Sequence, residues 1–309
     1  MGDRVLLTGA NGMVGRNLLE RGVFAAATVL APGRAELDLL EKDLVREYVR
    51  RHRPDTVVHA AGRVGGIAAN VADPAGFLQE NLQMGMNLAG VAAEGGVTRF
   101  LNLSSSCVYP REAENPLREG ALFSGPLEPT NEGYALAKLA VLRYGEFLSS
   151  QSSSFSWVSL IPCNLYGRWD SFEPERSHLV PAIIRKLHEA RRDGRDVVEI
   201  WGTGEARREF MLAADLADLI GAALRDFDDL PPRVNLGLGV DHSVNEYYRL
   251  AAEVVGYKGS FVHDLEKPVG MIRKQVDTSF QAGREWPAAT DLSTGLRITY
   301  DFFCEQAGA

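Results

Sequence analysis

Tyr134 and Lys138 stand four residues apart in Tyr134-Ala135-Leu136-Ala137-Lys138, so a helix would set both on one face. In that geometry a phenol can deliver a proton to a carbonyl oxygen, while the ammonium lowers the phenol's pKa and orients a bound nicotinamide ribose. Upstream, Ser104-Ser105-Ser106-Cys107-Val108-Tyr109-Pro110 offers hydroxyls that can hold the same oxygen, followed by a thiol. The spacing alone is weak evidence. Ordered behind a nucleotide-binding turn and a serine-rich strand end, it points to hydride chemistry at a carbonyl carbon.

That turn is Thr8-Gly9-Ala10-Asn11-Gly12-Met13-Val14-Gly15, directly after the apolar run Val5-Leu6-Leu7. Gly9, Gly12 and Gly15 allow a tight strand-to-helix connection, so a pyrophosphate can sit on N–H groups around Asn11, Met13 and the positive helix end. The second strand ends in Leu30-Ala31-Pro32-Gly33-Arg34, with no carboxylate at its tip to accept from a ribose 2′-hydroxyl. Arg34 can instead pair with a 2′-phosphate, which favours NADP(H) over NAD. Asp38 is placed to accept from the adenine amino group. The loop His59-Ala60-Ala61-Gly62 follows a further strand; Ala60, Ala61 and Gly62 are expected beneath the cofactor and His59 as a packed strand-end residue.

Strands are predicted at Val5–Leu7, Ala27–Leu30, Thr56–His59, Phe100–Leu103 and Trp157–Ile161. Helices are predicted between them, at 11–21, 42–52, 76–94 and 134–149. The alternation reads as an α/β fold with a doubly wound parallel sheet. After Tyr166-Gly167 a Pro- and charge-rich passage leads to a helix at 179–192, a strand at 197–201, a helix at 213–225, a strand at 233–237 and a less regular tail. Residues 1–166, with 210–240 returning, are expected to bind the dinucleotide. Residues 167–209 and 241–309 are expected to form a smaller C-terminal α/β lobe for substrate.

The 309 residues carry 33 Lys+Arg against 41 Asp+Glu, a net charge of −8, which argues against a nucleic-acid-coating surface. No stretch approaches the roughly 18 apolar residues of a membrane span. Cys107, Cys163 and Cys304 form no CxxC pair, so neither a disulfide framework nor a cysteine metal site is expected. With no secretory leader at its start, the chain reads as cytoplasmic.

The ordered set of turn, Ser105, Tyr134 and Lys138 resembles the extended short-chain dehydrogenase/reductase family, which has a Rossmann-type sheet and acts mostly on nucleotide sugars. Further strings narrow the resemblance to the GDP-L-fucose synthase family. These are Val64-Gly65-Gly66-Ile67, Ser105-Ser106-Cys107-Val108-Tyr109-Pro110, Leu127-Glu128-Pro129-Thr130-Asn131-Glu132, Asn164-Leu165-Tyr166-Gly167, Ser177-His178-Leu179-Val180-Pro181-Ala182, and Trp201-Gly202-Thr203-Gly204 with Arg208-Glu209-Phe210. The resemblance implies NADPH-dependent 3,5-epimerisation and 4-keto reduction of GDP-4-keto-6-deoxy-D-mannose. It also implies a homodimer, a reductase triad of Ser105, Tyr134 and Lys138, a proton-exchanging pair of Cys107 and His178, and a cofactor contact at Asn164. A C4 ketone acidifies the hydrogens on both neighbouring carbons, and inverting a carbon requires a base on one face and an acid on the other. A thiol and an imidazole suit that task, the imidazole favouring the thiolate. For the nucleotide diphosphate the resemblance and the need for cations together suggest Lys186, Trp201, Arg208 and Lys274. Asn11 stands where the family often has arginine, Cys163 replaces a small hydroxyl residue, and Arg168-Trp169 replaces the usual sequence after the Tyr-Gly pair. A nucleotide-sugar 4-epimerase, a simple 4-ketoreductase and a nucleotide-sensing scaffold are the competing readings.

Overall fold

Neighbouring residues on each central strand belong to different hydrophobic cores: Leu6, Val57 and Phe100 to one, Leu7, Val58 and Leu101 to another. A strand buried on both sides needs helices above and below, and the order of elements supplies them. The computed structural model describes residues 3–174, 177–267, 270–284, 286 and 290–308. In chain order the first half runs β1 (Arg4–Thr8), α1 (Met13–Glu20), β2 (Thr28–Leu30), α2 (Lys42–His52), β3 (Thr56–His59), α3 (Ile67–Ala72), α4 (Pro74–Glu94), β4 (Arg99–Leu103), α5 (Glu132–Ser150) and β5 (Ser156–Pro162). The second half runs β6 (Asn164–Tyr166), α6 (Leu179–Arg192), β7 (Val197–Trp201), β8 (Arg207–Arg208), β9 (Phe210–Leu212), α7 (Ala213–Arg225), β10 (Arg233–Leu236), β11 (His242–Ser243), α8 (Val244–Val255), β12 (Ser260–Asp264), β13 (Arg273–Lys274), α9 (Ser279–Ala282) and α10 (Leu292–Ala307).

The main sheet has six strands in the order β10-β5-β4-β3-β1-β2, all parallel. Helices α1 and α7 pack on one face; α2 and α4 line the other, where α5 lies against α4. A separate core joins α6, α8 and α10 through Ile184, Leu187, Ala251, Leu296 and Tyr300. Short strands extend from this part: β7 pairs with β12, β6 with β9, and β8 lies between β11 and β13.

The C-terminal third is more regular than its sequence suggests. Ser243 and Glu246 form a reciprocal capping box that starts α8, and Gly256 ends it in the left-handed conformation. Asp291 accepts from Thr294 N to open α10. No helix among the described residues is long and apolar enough to cross a membrane.

Candidate active site

The strand order reverses between β1 and β3, where a doubly wound sheet opens a crevice outside its carboxyl ends. Gly9 ends β1 with φ +75°, and a Cβ there would lie 2.6 Å from Ala61 N and 2.7 Å from the Ala60 carbonyl carbon. Only glycine lets these two loops meet. A Cβ on Gly15 would overlap the Gly9 carbonyl oxygen and fall 2.5 Å from the Ala10 Cα, so this residue seats α1 on β1. Gly12 is the N-cap of α1, with no side-chain cap among the described residues and no acid in the first turn. The N–H groups from half-buried Met13 onward are therefore left for an anion.

Around that crevice, the Asn11 carboxamide reaches the loop after β2, its Nδ2 lying 3.2 Å from an ideal Cβ on Gly33. Arg34 is exposed there, pairing with Asp38 at 3.3 Å. Asp38 also accepts from Leu40 N at 3.1 Å, which ties its carboxylate to its own turn. An ideal Cβ on Gly62 would be 3.6 Å from Lys138 Nζ, so the loop after β3 reaches α5. An uncapped helix end beside a glycine cradle, with a guanidinium at the end of β2, fits a phosphorylated dinucleotide.

The serine-rich segment begins one residue past β4. Ser105 caps the single turn Ser106–Val108, its Oγ accepting from Cys107 N at 3.3 Å, and it also hydrogen-bonds Tyr134. Lys138 donates to the Leu103 carbonyl at 3.0 Å, and its Nζ lies 5.9 Å from the Tyr134 ring centre. The phenol is not eased toward deprotonation, as its spacing from Lys138 suggests. Burial pushes it above the ordinary tyrosine value, with the Cys107 charge adding and the Ser105 bond opposing. Burial also brings Lys138 down to about 8. His59 is buried against Thr8 Oγ1 at 2.8 Å, and burial with the nearby Lys138 charge takes it to about 3, so it stays neutral.

Cys107 is half-buried, and its sulfur accepts from Lys274 Nζ at 3.2 Å and Asn131 Nδ2 at 3.3 Å. Burial raises this thiol, but the Lys274 charge and the bonds from Ser105, Lys274 and Asn131 outweigh it, leaving the thiol below its ordinary value. The cation favouring the thiolate is thus Lys274, where the sequence suggested the imidazole. His178 precedes α6 as its N-cap, lowered by burial and then by the Lys274 charge. An ideal Cβ on Gly66 would lie 2.8 Å from Ser177 O, so the Gly65-Gly66 loop abuts the segment carrying His178.

Among the residues suggested for the nucleotide diphosphate, Arg208 and Lys274 are register partners on the parallel strands β8 and β13. Burial lowers Arg208, while the Glu128 charge counters it. Lys186 donates to the Glu199 carbonyl at 2.9 Å and to Tyr248 Oη at 3.3 Å. Trp201 closes β7 half-exposed, with Lys267 Nζ 5.7 Å from its ring centre. Asn164 donates to the Glu209 carbonyl at 2.9 Å, joining β6 to the bend before β9.

Two asparagines that sequence reasoning passed over belong to this region. Asn131 occupies the N-cap position of α5 without capping it, because its amide reaches Cys107. Buried Asn81 on α4 holds the loop after β3, accepting from Arg63 N at 2.9 Å and donating to Arg63 O at 3.0 Å. Ser104 Oγ, Ser106 Oγ and Asn131 Oδ1 are buried with no hydrogen-bond partner among the described residues. Polar atoms left in that state mark a place where a ligand can contribute bonds.

The description "NAD dependent epimerase/dehydratase family" belongs to a family model that matches residues 5–237. A GDP-L-fucose synthase from Azorhizobium caulinodans is 46% identical over 302 residues, covering 98% of this chain and 96% of its own. A GDP-L-colitose synthase from Yersinia pseudotuberculosis is 45% identical over 303 residues, covering 98% of both chains. Among solved structures, a GDP-mannoheptose C4 reductase from Campylobacter jejuni with NADP bound superposes with a TM-score of 0.87 at 29% identity, covering 98% of both chains. The glycine cradle at the strand-order reversal and the Ser105, Tyr134 and Lys138 cluster fall within the matched span, and the chain belongs to the NAD dependent epimerase/dehydratase family.

Proposed function

We propose that this protein is an NADPH-dependent enzyme that inverts C3 and C5 of GDP-4-keto-6-deoxy-D-mannose and reduces its C4 ketone, giving GDP-L-fucose. One observation carries this: a hydroxyl, a phenol and a cation-supported thiol converge just beyond β4, beside a cradle for a dinucleotide phosphate. Residues 1–166 and 210–240 hold the cofactor, and 167–209 with 241–309 hold the nucleotide sugar. The cofactor is NADP(H), received by the loops at Gly9–Gly15 and Ala60–Gly62, with Arg34 and Asn11 at the 2′-phosphate. When bound it supplies the hydride for C4.

The residues of this chain do the rest. Ser105 and Tyr134 hold the C4 oxygen, and that grip stabilises the enolate formed when a proton leaves either neighbouring carbon. Cys107 and His178 take up and return those protons from opposite faces. After both inversions, Tyr134, kept protonated by burial, gives its proton to the C4 oxygen as hydride arrives. Lys138, anchored on the Leu103 carbonyl, orients the nicotinamide ribose. Arg208, Lys186 and Trp201 contact the nucleotide diphosphate. A homodimer paired through α4 and α5, working in the cytoplasm, completes the assignment.

The test is turnover of the 4-keto sugar with NADPH in deuterated water, followed by NMR. Deuterium at both C3 and C5 of a GDP-L-fucose product is expected, with both labels lost in Cys107→Ser and His178→Ala. Reduction without label would leave a plain 4-ketoreductase. The Yersinia relative, named for a different deoxysugar at nearly equal identity, favours one second reading: inversion at a single carbon of a related NDP-4-keto-6-deoxysugar, seen as label at one position.

A further inference from the structure

We propose that Lys274 is a positioning residue for the thiol, its ammonium acting with the Asn131 amide to hold Cys107 as a thiolate. The geometry is the basis. The Cys107 sulfur lies 3.2 Å from Lys274 Nζ and 3.3 Å from Asn131 Nδ2. An ammonium and a carboxamide NH2 can only donate, so the sulfur must accept from both, and an anion does that far better than a neutral thiol. Lys274 is 8% exposed, on a two-residue strand whose neighbour β8 fixes its direction. A buried lysine cannot swing as a surface lysine does, and among the described residues the side-chain partner of its charge is sulfur rather than a carboxylate.

The surrounding charges agree in sign. Lys274 faces Cys107 from β13 and Arg208 acts on it from β8, while Tyr134 on α5 is held neutral by burial and His178 before α6 is lowered by burial and by Lys274 itself. Burial works against the thiolate, and the donor bonds with the Lys274 charge reverse the balance. Asn131 contributes a donor without charge, its amide turned to the sulfur while its own helix goes uncapped. Lys274 therefore acts on the proton-exchange step through Cys107, not as an ordinary phosphate ligand.

The catalytic consequence rests on the function proposed above, whereas the test does not. The full-length protein, without substrate, is alkylated with iodoacetamide across a pH series, and the Cys107 peptide is followed by mass spectrometry. The wild-type midpoint is expected below the ordinary thiol value of about 8.5. Lys274→Met should raise it by a unit or more, slowing alkylation at neutral pH about ten-fold. Lys274→Arg should restore most of the rate, and Asn131→Leu should shift the midpoint upward by less. A wild-type midpoint at or above the ordinary value overturns the proposal without any variant having to fold, and an unchanged midpoint in folded Lys274→Met does so too. Product analysis separately decides the proposed reaction, so the two can fail independently.

Discussion

Lys138 carries its charge inside the protein, and burial takes it down to about 8 from an ordinary 10.5. The sign follows directly: with the folded value depressed, the unfolded chain binds more protons between about 8 and 10.5, so this group's contribution to stability grows as pH rises through that window. At neutral pH the ammonium is a burden on the fold, which the proposed role on the ribose accounts for. Lys138→Met is expected to raise the melting temperature of the cofactor-free protein by a few degrees while NADPH oxidation falls at least a hundred-fold. A lower melting temperature with activity retained would contradict this. Tyr134 and Lys138 are legible in the sequence because helical spacing alone sets them on one face. The bond from Lys274 to Cys107 spans 167 positions and arises only when β13 docks beside β8, so no local pattern announces it.

The early elements are legible for the same reason, since their apolar periodicity is strong. Helix α2 and strand β3 fall where predicted, and α4 starts two residues early because Asp73 caps it and Pro74 suits its first turn. Helix α8 announced itself through Ser243 and Glu246, a signal present in the sequence but passed over. Strands β8, β11 and β13 are two residues each, too short to show alternation. Asp241, just before β11, pairs with Arg207 of β8 and Arg273 of β13, and Glu209, in the bend between β8 and β9, ties down the segments around them. Its buried carboxylate accepts from Leu238 N and Gly239 N beyond β10 and from Val276 N beyond β13. Burial raises this acid to about 7 from 4.5, so the stability it contributes is full below about 4.5 and is lost as pH climbs through about 7. Glu209→Gln keeps one acceptor and turns an NH2 toward Val276 N. Urea midpoints should therefore fall at pH 5 by an equivalent of about 1–3 kcal/mol, with a narrower gap at pH 8. A gap that widens with pH would refute the assignment.

For the whole molecule, α4 and α5 lie against one another and still leave Met86, Leu136 and Phe147 exposed. Apolar side chains gathered on one helical layer suit a second copy of the same layer. Sedimentation is expected at twice 33.8 kDa, and Leu136→Asp should shift the protein toward monomer. A wild-type monomer at micromolar concentration would remove the pairing. The shift to shorter, separately paired strands after Gly167 was legible in the sequence. The three-way pairing of β11, β8 and β13 was not, because it joins segments separated by long connections.

That β13 carries the cation for a sulfur far earlier in the chain sets an order of maturation. The nucleotide cradle and the phenol are encoded in the first 160 or so residues, whereas the cation beside the thiol comes only with the last strand. On the roles proposed for Cys107 and Lys274, a nascent or clipped chain that lacks its C-terminal end is expected to lack competence for stereochemical inversion.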